Sequence, residues 1–304
     1  MSDQTSQSVS RQMLLDLGVL TIGVFALSAL IFGVAGYSRK ATESTTPYVA
    51  NSLCDNWFAD RPLFRANRPG EFEQYNDVAC FDGIVGPPGE SRATRDLLEW
   101  AKKAEDMKDP HLVIRSMGGD AKTALLLGER FQDARVAVVA HGICASSCAA
   151  FIFAGQADHH LSPGDLLLFD GGYTVKSIDR SLAQFDARVA KQTSRDNRAE
   201  IESRKLRKSL ESLKKRQDEL LLKADVDPDL LHNSDMADLS SLRDELCGNR
   251  PKSSREFYYL SFKDLTRFGF SKENVFMIPD SDRVNALLAN YIEGVAACRV
   301  DFER

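Results

Sequence analysis

An uninterrupted apolar run stands near the start of the chain. Residues 17–38 carry no charged side chain, and the run is bounded by Asp16 and Arg39. A helix of these 22 residues would span the roughly 30 Å hydrocarbon core of a bilayer, at about 1.5 Å per residue. The run therefore predicts one transmembrane helix. A cleaved signal peptide and a buried core helix are the alternatives, and the length of the run favours the membrane span.

Apolar segments of two different periods alternate in the middle of the chain. Short apolar runs predict strands, and the amphipathic stretches between them predict helices. The predicted strands are 112–114, 136–140 and 166–169, and the predicted helices are 93–107, 121–131 and a third that continues through Gly155. Because strands and helices alternate, we expect an α/β domain with mostly parallel strands.

A highly charged stretch without Gly or Pro, 181–224, follows this domain. Its leucines recur at helical spacing: Leu206, Leu210, Leu213 and Leu220. The pattern predicts a long, mostly solvated helix or a helical hairpin. Two interpretations of the narrow apolar stripe stay open. It is either a packing arm for a second copy of the chain, which predicts a homo-oligomer, or one half of an antiparallel hairpin with Phe185 and Val189.

These patterns divide the chain into six segments. They are an N-terminal tail (1–16), the transmembrane helix (17–38), an irregular stalk or linker (39–77), the α/β core (78–175), the charged helical insert (176–254) and a last segment that completes the core (255–304). The last segment contains an amphipathic C-terminal helix, predicted from apolar side chains between Val284 and Val295.

The composition excludes several classes of protein. Of the 304 residues, 43% are hydrophobic and 27% charged, which are ordinary values for a globular protein and exclude disorder along the whole chain. The net charge of -5 lacks the basic surplus of nucleic-acid binders. The chain has no nucleotide-binding loop, and its neighbouring histidines, His159 and His160, lack metal-ligand spacing. We therefore expect no cofactor, no bound metal and no nucleic-acid partner.

The six cysteines permit a few disulfides if the compartment is oxidising. Cys54 and Cys80 flank one loop region, and closing a loop of that length would stabilise the fold by roughly 3 kcal/mol. Cys144 and Cys148 are a second candidate pair. The cysteines favour the far side of a membrane, whereas the basic residues that follow the apolar run favour a cytoplasmic C-terminal part.

Two segments of small residues carry the candidate chemistry. In the first, 116–120, a strand leads through Gly118 and Gly119 into a helix, an arrangement that fits a tight turn or a pair of outward backbone N–H groups that hold an oxyanion. In the second, 142–151, Ser146 stands between a strand and a helix. A serine in that place is either a helix cap or a nucleophile.

Together these segments resemble the Clp-protease/crotonase family. Residues 116–119, Ser-Met-Gly-Gly, are similar to the family's Ser-Pro-Gly-Gly turn, and 142–155 are similar to its Gly-x-Ala-Ala-Ser-x-Gly-Ala-Phe helix, which ends in Ala-Gly. A third segment, 260–269, resembles its Leu-Ser-x-x-Glu-Ala-x-x-Tyr-Gly helix. The resemblance covers about residues 78–173 and 255–275.

The resemblance implies a Clp-protease/crotonase-like superhelical α/β fold. It also implies that Ser146 is the nucleophile, that Gly118 and Gly119 supply the oxyanion N–H groups, and that the chain assembles with copies of itself. The Cys-Ala-Ser-x-Cys form of 144–148 resembles that of membrane-attached periplasmic members in bacteria. This likeness implies a single-pass protein of the bacterial inner membrane whose C-terminal domain is periplasmic.

The chain departs from the family at two catalytic positions. The family's general base, a histidine, falls on Asp170, and its orienting aspartate falls on Phe257, with Glu256 adjacent. A carboxylate is a weaker base than an imidazole for a serine hydroxyl. Among other histidines, His141 is the nearest in sequence to Ser146. Whether the protein is an enzyme stays open. The departures favour a non-catalytic peptide- or protein-binding or scaffold module, a pseudoenzyme, over a non-classical serine peptidase.

Overall fold

The computed structural model describes residues 47–61, 68–192, 197–232, 255–274, 281–291 and 295–300. The strands are β1 (Glu71–Tyr75), β2 (Val78–Asp82), β3 (His111–Ser116), β4 (Ala137–Ala145), β5 (His159–Leu161), β6 (Leu166–Leu168), β7 (Arg255–Leu260) and β8 (Val295–Val300). The helices are α1 (Pro47–Ala59), α2 (Arg92–Ala104), α3 (Ala121–Asp133), α4 (Cys148–Phe153), α5 (Val175–Gln192), α6 (Asn197–Lys223), α7 (Asp229–His232), α8 (Phe262–Arg267) and α9 (Ser281–Tyr291).

Six strands form the main sheet, in the order β1-β2-β3-β4-β5, with β6 also paired to β4. β1 runs antiparallel to β2, and the other pairs are parallel. The first half of β4 pairs with β5 and its second half with β6. The fold is therefore mixed α/β with a mostly parallel sheet, as the alternating pattern predicted.

Alternate side chains of the central strands enter two different cores, because successive residues of a strand point to opposite faces. Leu112 and Ile114 of β3 lie in the main core with α2 and α3. Val113 points to the other face, where it packs with Val139 of β4 and the buried side chains of α1. Both faces of the sheet are covered, which explains why 112–114 of β3 and 137–140 of β4 are apolar without interruption.

The helix α1 covers the second face of the sheet, where the sequence predicted an irregular stalk. Trp57 and Phe58 are buried against the sheet, and Cys54 of α1 is disulfide-bonded to Cys80 of β2, with a Cα–Cα distance of 5.8 Å. The stalk prediction therefore does not describe this stretch. A helix that packs its apolar side chains on a sheet and is linked to that sheet by a disulfide belongs to the folded core.

The charged insert folds back on the same chain as a hairpin of α5 and α6. Arg207 of α6 forms an ion pair with Asp179 of α5 (3.2 Å), and Leu213 and Leu220 are buried in the main core. Leu220 lies against the backbone of Gly155, since a Cβ at that glycine would stand 2.7 Å from the leucine. The apolar stripe is thus covered within the chain. We expected self-association because an uncovered apolar stripe would need a partner. Since the chain covers the stripe itself, the stripe no longer supports that expectation.

A second, two-stranded parallel sheet of β7 and β8 completes the fold. It joins the main sheet through Phe169 and Tyr258, whose backbone groups exchange two hydrogen bonds of 2.8 Å. Phe257 and Tyr259 point into a separate apolar core with Leu168 of β6 and Leu288 of α9.

No described helix is both long enough and apolar enough to cross a lipid bilayer. The predicted transmembrane helix, 17–38, lies outside the described residues. On this finding we correct the predicted fold class to a mixed α/β fold with no membrane-spanning helix among the described residues. The membrane as a partner and the single-pass location in the inner membrane with a periplasmic domain depended on that helix, and they are corrected with it.

Candidate functional site

The first glycine segment forms a turn between β3 and α3. The Ser116 hydroxyl donates to the carbonyl of Gly83 (2.6 Å) and accepts the N–H of Gly118 (3.1 Å). Gly118 and Gly119 both have a positive φ, of 82° and 141°, which a glycine adopts without steric cost. Asp120 then caps α3 by accepting the N–H of Thr123 (2.8 Å).

The backbone N–H of Gly119 is not one of the donors that hold this turn to Val85. Val85 pairs with Gly119 in an isolated parallel bridge. The bridge is made by the N–H of Val85, which donates to the carbonyl of Gly118 (2.9 Å), and by the N–H of Asp120, which donates to the carbonyl of Val85 (2.7 Å). The N–H of Gly119 itself takes no part in this ladder. Because Gly119 also lines the cavity described below, its N–H is the donor of this turn that we consider for a ligand oxygen.

Ser146 occupies a sharp turn between β4 and α4. Its φ is +55°, a conformation that residues other than glycine rarely adopt. Two hydrogen bonds of 2.9 Å hold the turn: the N–H of Ser146 donates to Leu168, and its carbonyl accepts the N–H of Ala150. Cys144 and Cys148 form a disulfide across the turn, with a Cα–Cα distance of 5.4 Å. Ser146 thus precedes the helix and is not its capping residue.

The two turns are in direct contact. A Cβ on Gly118 would lie 2.9 Å from the Cβ of Ser146 and 2.8 Å from the backbone nitrogen of Ser147. The Ser147 hydroxyl lies 3.5 Å from the carbonyl oxygen of Gly119. The structure therefore brings the glycine pair and the serine together, although about 26 residues separate them in the chain.

A cavity of about 270 Å³ opens beside these turns. Gly119, Ser146, Ser147, Phe151 and Asp170 line it from the α/β core. Ser146 and Asp170 therefore share one cavity. Its volume lies just below the range of about 300–1,000 Å³ that is typical of drug-sized ligands, which suits a short ligand.

The charged insert supplies the opposite wall of this cavity. Ser177, Ile178 and Ser181 of α5 and Leu210 of α6 line it. The Phe151 ring stacks on Tyr173, with ring centroids 6.0 Å apart. Burial raises the pKa of Tyr173 to about 12, so the phenol keeps its proton at neutral pH.

Gln217 of α6 fixes the segment that follows Asp170. Its Oε1 accepts the N–H of Tyr173 (2.7 Å), and its Nε2 donates to the carbonyl of the same residue (3.3 Å). Gly172 leaves no room for a side chain here, since a Cβ would stand 2.6 Å from the Gln217 Oε1. This wall of the cavity is therefore held in place by the insert.

The second departure from the family pattern is a buried apolar residue. Phe257 is fully buried in a core with Ala145, Leu168 and Leu288. The side chain at the position where the resemblance places an aspartate can therefore neither accept a proton nor orient a base.

All five histidines are among the described residues, and none of them lines the cavity. His141 faces α1, where it stacks on Phe58 (4.3 Å) and its Nδ1 lies 3.0 Å from the Asn51 Oδ1. Burial lowers the pKa of His141 below its usual value. His159 is buried with its Nδ1 2.6 Å from the carbonyl of Gln156. Neither histidine takes the place of a base for Ser146.

The described residues include no group of three His, Cys, Asp or Glu side chains that is arranged to hold a metal ion. The ionisable side chains in the described lining of the cavity are Asp170 and Tyr173. The arrangement therefore offers hydroxyl groups, one carboxylate and a backbone N–H to a ligand.

The carboxylate of Asp165 supports β4 just before the Ser146 turn, and it predicts a pH effect. It accepts the N–H groups of Gly142 (2.7 Å) and Ser162 (3.1 Å). Burial raises its pKa from 3.8 to about 6. Because the folded state favours the protonated acid, ionisation destabilises the fold, and this loss develops as the pH rises from about 4 and is complete above about 6.

We expect Asp165→Asn to remove this pH dependence. The unfolding free energy of the wild type, relative to that of the variant, should fall by up to about 3 kcal/mol between pH 4 and pH 7. Urea unfolding of both proteins at several pH values measures the difference between their unfolding free energies. The contributions of the other titrating groups cancel in this difference, because both proteins contain them. A difference that is constant or rises with pH would contradict the raised pKa.

Sequence analysis missed the residues that the insert contributes to the site. These residues belong to no recognisable motif, and polar side chains on a charged helix are usually exposed to solvent. They are Ser177, Ser181, Leu210 and Gln217. The paired glycines at 171–172 were the available signal, because they mark a close approach of another element.

Comparison with known proteins adds no family assignment. A scan against models of protein families finds no match to this chain, and a search of curated proteins also finds none.

Proposed function

We propose that this chain is a Clp-protease/crotonase-like protein whose cavity binds a short peptide without cleaving it. Three motifs in the family's order support the kinship: the turn at 116–119, the segment 142–155 and the helix at 260–269. The contact between the first two motifs supports it further, because a Cβ on Gly118 would meet Ser146.

The observation that carries a binding function is the lining of the cavity. Ser146 shares it with Asp170, and no histidine, lysine or arginine among the described residues lines it. A serine hydroxyl needs a neighbouring base to become a nucleophile at neutral pH. Loss of the base normally removes most of the acceleration that a catalytic triad provides.

A peptide fits the polar groups that remain. The N–H of Gly119 can donate to a peptide carbonyl, and Asp170 can accept from a peptide N–H. The rings and aliphatic side chains of Phe151, Ile178 and Leu210 offer an apolar surface to a peptide side chain. The cavity thus combines polar groups with an apolar surface, and a binding site for a peptide uses both.

A serine hydrolase that uses Ser146 is the second candidate. The positive φ of Ser146 favours it, because strained backbone conformations cluster at active sites. The two candidates make opposite predictions about the reactivity of the Ser146 hydroxyl.

Labelling with a fluorophosphonate probe tests whether the serine is reactive. We expect the full-length protein to show no more labelling than Ser146→Ala, because no base activates the hydroxyl. Asp170→His is the informative variant, since it restores an imidazole to the cavity; any gain of labelling should appear there and disappear in the double variant with Ser146→Ala. Strong labelling of Ser146 in the unmodified protein would overturn the binding function in favour of the hydrolase.

Calorimetric titration with di- and tripeptides tests the binding itself. Ser181→Trp places an indole on the cavity wall of α5 and should abolish binding. Ala183→Trp, on an exposed position of the same helix, is the matched control and should leave binding unchanged. The proposal fails if no peptide binds the wild type, or if both tryptophan variants bind as well as the wild type does.

A further inference from the structure

We infer that the Cys144–Cys148 disulfide holds the site in its binding geometry, so that the cavity depends on the oxidation state of this pair. This inference rests on the proposed peptide-binding function and adds a regulation of the same site. The relevant observations are the irregular backbone around Ser146, the position of the disulfide across it and the short loop that the disulfide closes.

Three irregular stretches of backbone follow one another at the site. The register between β3 and β4 shifts after the pair Ile114–Ala140, and pairing resumes at Ser116–Cys144. Ser146 then has its φ of +55°, and α4 is wound as a π-helix. A positive φ at a residue other than glycine persists only where the surroundings hold it, and bulges and π-helices are frequent at functional sites. This part of the chain therefore needs a local restraint.

The disulfide spans these irregular stretches. Cys144 pairs across the sheet with Ser116, the residue whose hydroxyl accepts an N–H of the glycine turn. Cys148 is the first residue of α4, and Phe151 of the same helix lines the cavity. The bridge therefore ties the strand beside the glycine turn to the helix that carries a cavity wall, with Ser146 between its two ends.

The short loop that this disulfide closes points to a local role. Its two cysteines are 4 residues apart, whereas those of the Cys54–Cys80 disulfide are 26 apart. A disulfide stabilises a fold mainly by restricting the unfolded chain, and this effect grows with the length of the closed loop. The Cys144–Cys148 bridge therefore contributes less to global stability than the other bridge, and its effect falls on the turn that it closes.

Reduction of this bridge would release the turn. A dithiol reductant supplies the two electrons: its thiolate attacks one sulfur, the S–S bond breaks, and the products are two cysteine thiols and the disulfide form of the reductant. Cys144 and Cys148 are buried in the main core, so a reductant reaches them when this segment opens locally. After reduction, the restraint on Ser146 falls to its backbone hydrogen bonds with Leu168 and Ala150. The oxidised protein is thus the form that binds.

Two double variants of the full-length protein test this role. Cys144→Ala with Cys148→Ala removes the bridge at the site, and Cys54→Ala with Cys80→Ala removes the bridge between α1 and β2. Each variant loses two buried sulfur atoms, so that a difference between the variants reflects the position of the bridge. Hydrogen exchange, measured by mass spectrometry on peptic fragments, reports local opening without any ligand.

We expect loss of the bridge at the site to raise the exchange rate of 142–155 by about tenfold or more. It should weaken binding of tri-L-alanine, measured by titration calorimetry, by a similar factor. Loss of the other bridge should raise exchange in 47–59 and lower the urea midpoint further, with binding and the exchange of 142–155 unchanged. Adding Ser146→Gly to the first variant should restore part of the protection of 142–155, because glycine adopts the positive φ without strain.

The outcomes separate this inference from the proposed function. Unchanged exchange of 142–155 in Cys144→Ala with Cys148→Ala, or equally tight binding of tri-L-alanine to it and to the wild type, would overturn the role of the bridge and leave peptide binding intact. Raised exchange in that variant, with no binding of any short peptide to the wild type, would overturn the proposed function and leave the positioning role of the bridge.

Graded reduction of the wild type with dithiothreitol keeps the test decisive if the first variant folds poorly. Alkylation of the released thiols, followed by mass spectrometry, shows which bridge has opened at each step. The exchange of 142–155 should rise with the reduction of Cys144–Cys148. A rise that follows the reduction of Cys54–Cys80 instead would contradict the inference.

Discussion

Replacing Asp82 with alanine is expected to lower the unfolding free energy by about 3–5 kcal/mol. Asp82 and Arg115 face each other across β2 and β3, with exposed fractions of only 1% and 5%. Their two hydrogen bonds are 2.8 Å (Nε to Oδ1) and 2.7 Å (Nη2 to Oδ2). The large effect arises because removal of the carboxylate leaves a buried guanidinium without its partner. Urea unfolding of the wild type and the variant measures the loss.

Two further variants show whether burial is the cause. Asp96→Ala removes the partner of Arg92, whose side chain is 87% exposed, and should cost less than about 1 kcal/mol. The double variant Asp82→Ala with Arg115→Met should recover much of the loss, because no charge is then left unpaired. If Asp82→Ala costs no more than Asp96→Ala, the buried pair does not stabilise the fold as the geometry indicates.

Replacing Gly118 with alanine is expected to lower the unfolding free energy by about 3 kcal/mol or more, since backbone strain and overpacking each cost about 1–3 kcal/mol. The φ of Gly118 is 82°, which strains an alanine. The added Cβ would also stand 2.7 Å from the carbonyl oxygen of Ala145 and 2.9 Å from the Cβ of Ser146. The variant should also lose peptide binding, because relief of the collision separates the two turns of the site.

Gly164→Ala is the matched control for this variant. Gly164 has a similar φ of 99°, but a Cβ there would meet no atom within 4 Å. Gly164→Ala should therefore lower the unfolding free energy only through backbone strain, by about 1–2 kcal/mol. It should leave peptide binding unchanged. Equal losses in the two variants, measured by chemical unfolding, would mean that the contact between the turns contributes nothing to stability.

Local patterns along the chain were sufficient to predict the strands β3, β4 and β6 and the helices α2 and α3, but not β1, β2 or β5. The apolar run at 112–114 lies in β3, and the amphipathic stretch at 93–107 overlaps α2. The turn chemistry was predictable for the same reason. Paired glycines after a strand favour a turn with positive φ values, because glycine has no side chain. Gly118 and Gly119 have such values.

The stretch predicted as a stalk shows where local pattern was insufficient. α1 is short, and the pattern of its own residues predicted only an irregular stalk. Its apolar side chains gain a partner from Val113 and Val139 on strands far along the chain, and the Cys54–Cys80 bridge holds it there. Short helices are marginal without such packing, so the tertiary structure decided this element.

The sequence by itself determined that the described charged part of the insert, α5 and α6, is helical and that one narrow stripe of it is apolar. It also determined which small residues would form the two turns. Only the tertiary structure decided that the stripe of Leu213 and Leu220 is covered by the chain's own core, and that Ser177, Ser181 and Leu210 would line the cavity. The physical reason is that backbone preferences act between near neighbours, whereas the hydrophobic effect has no direction and accepts any apolar surface that excludes water. An apolar stripe in a sequence therefore predicts that the stripe will be buried, but it does not predict which surface will cover it.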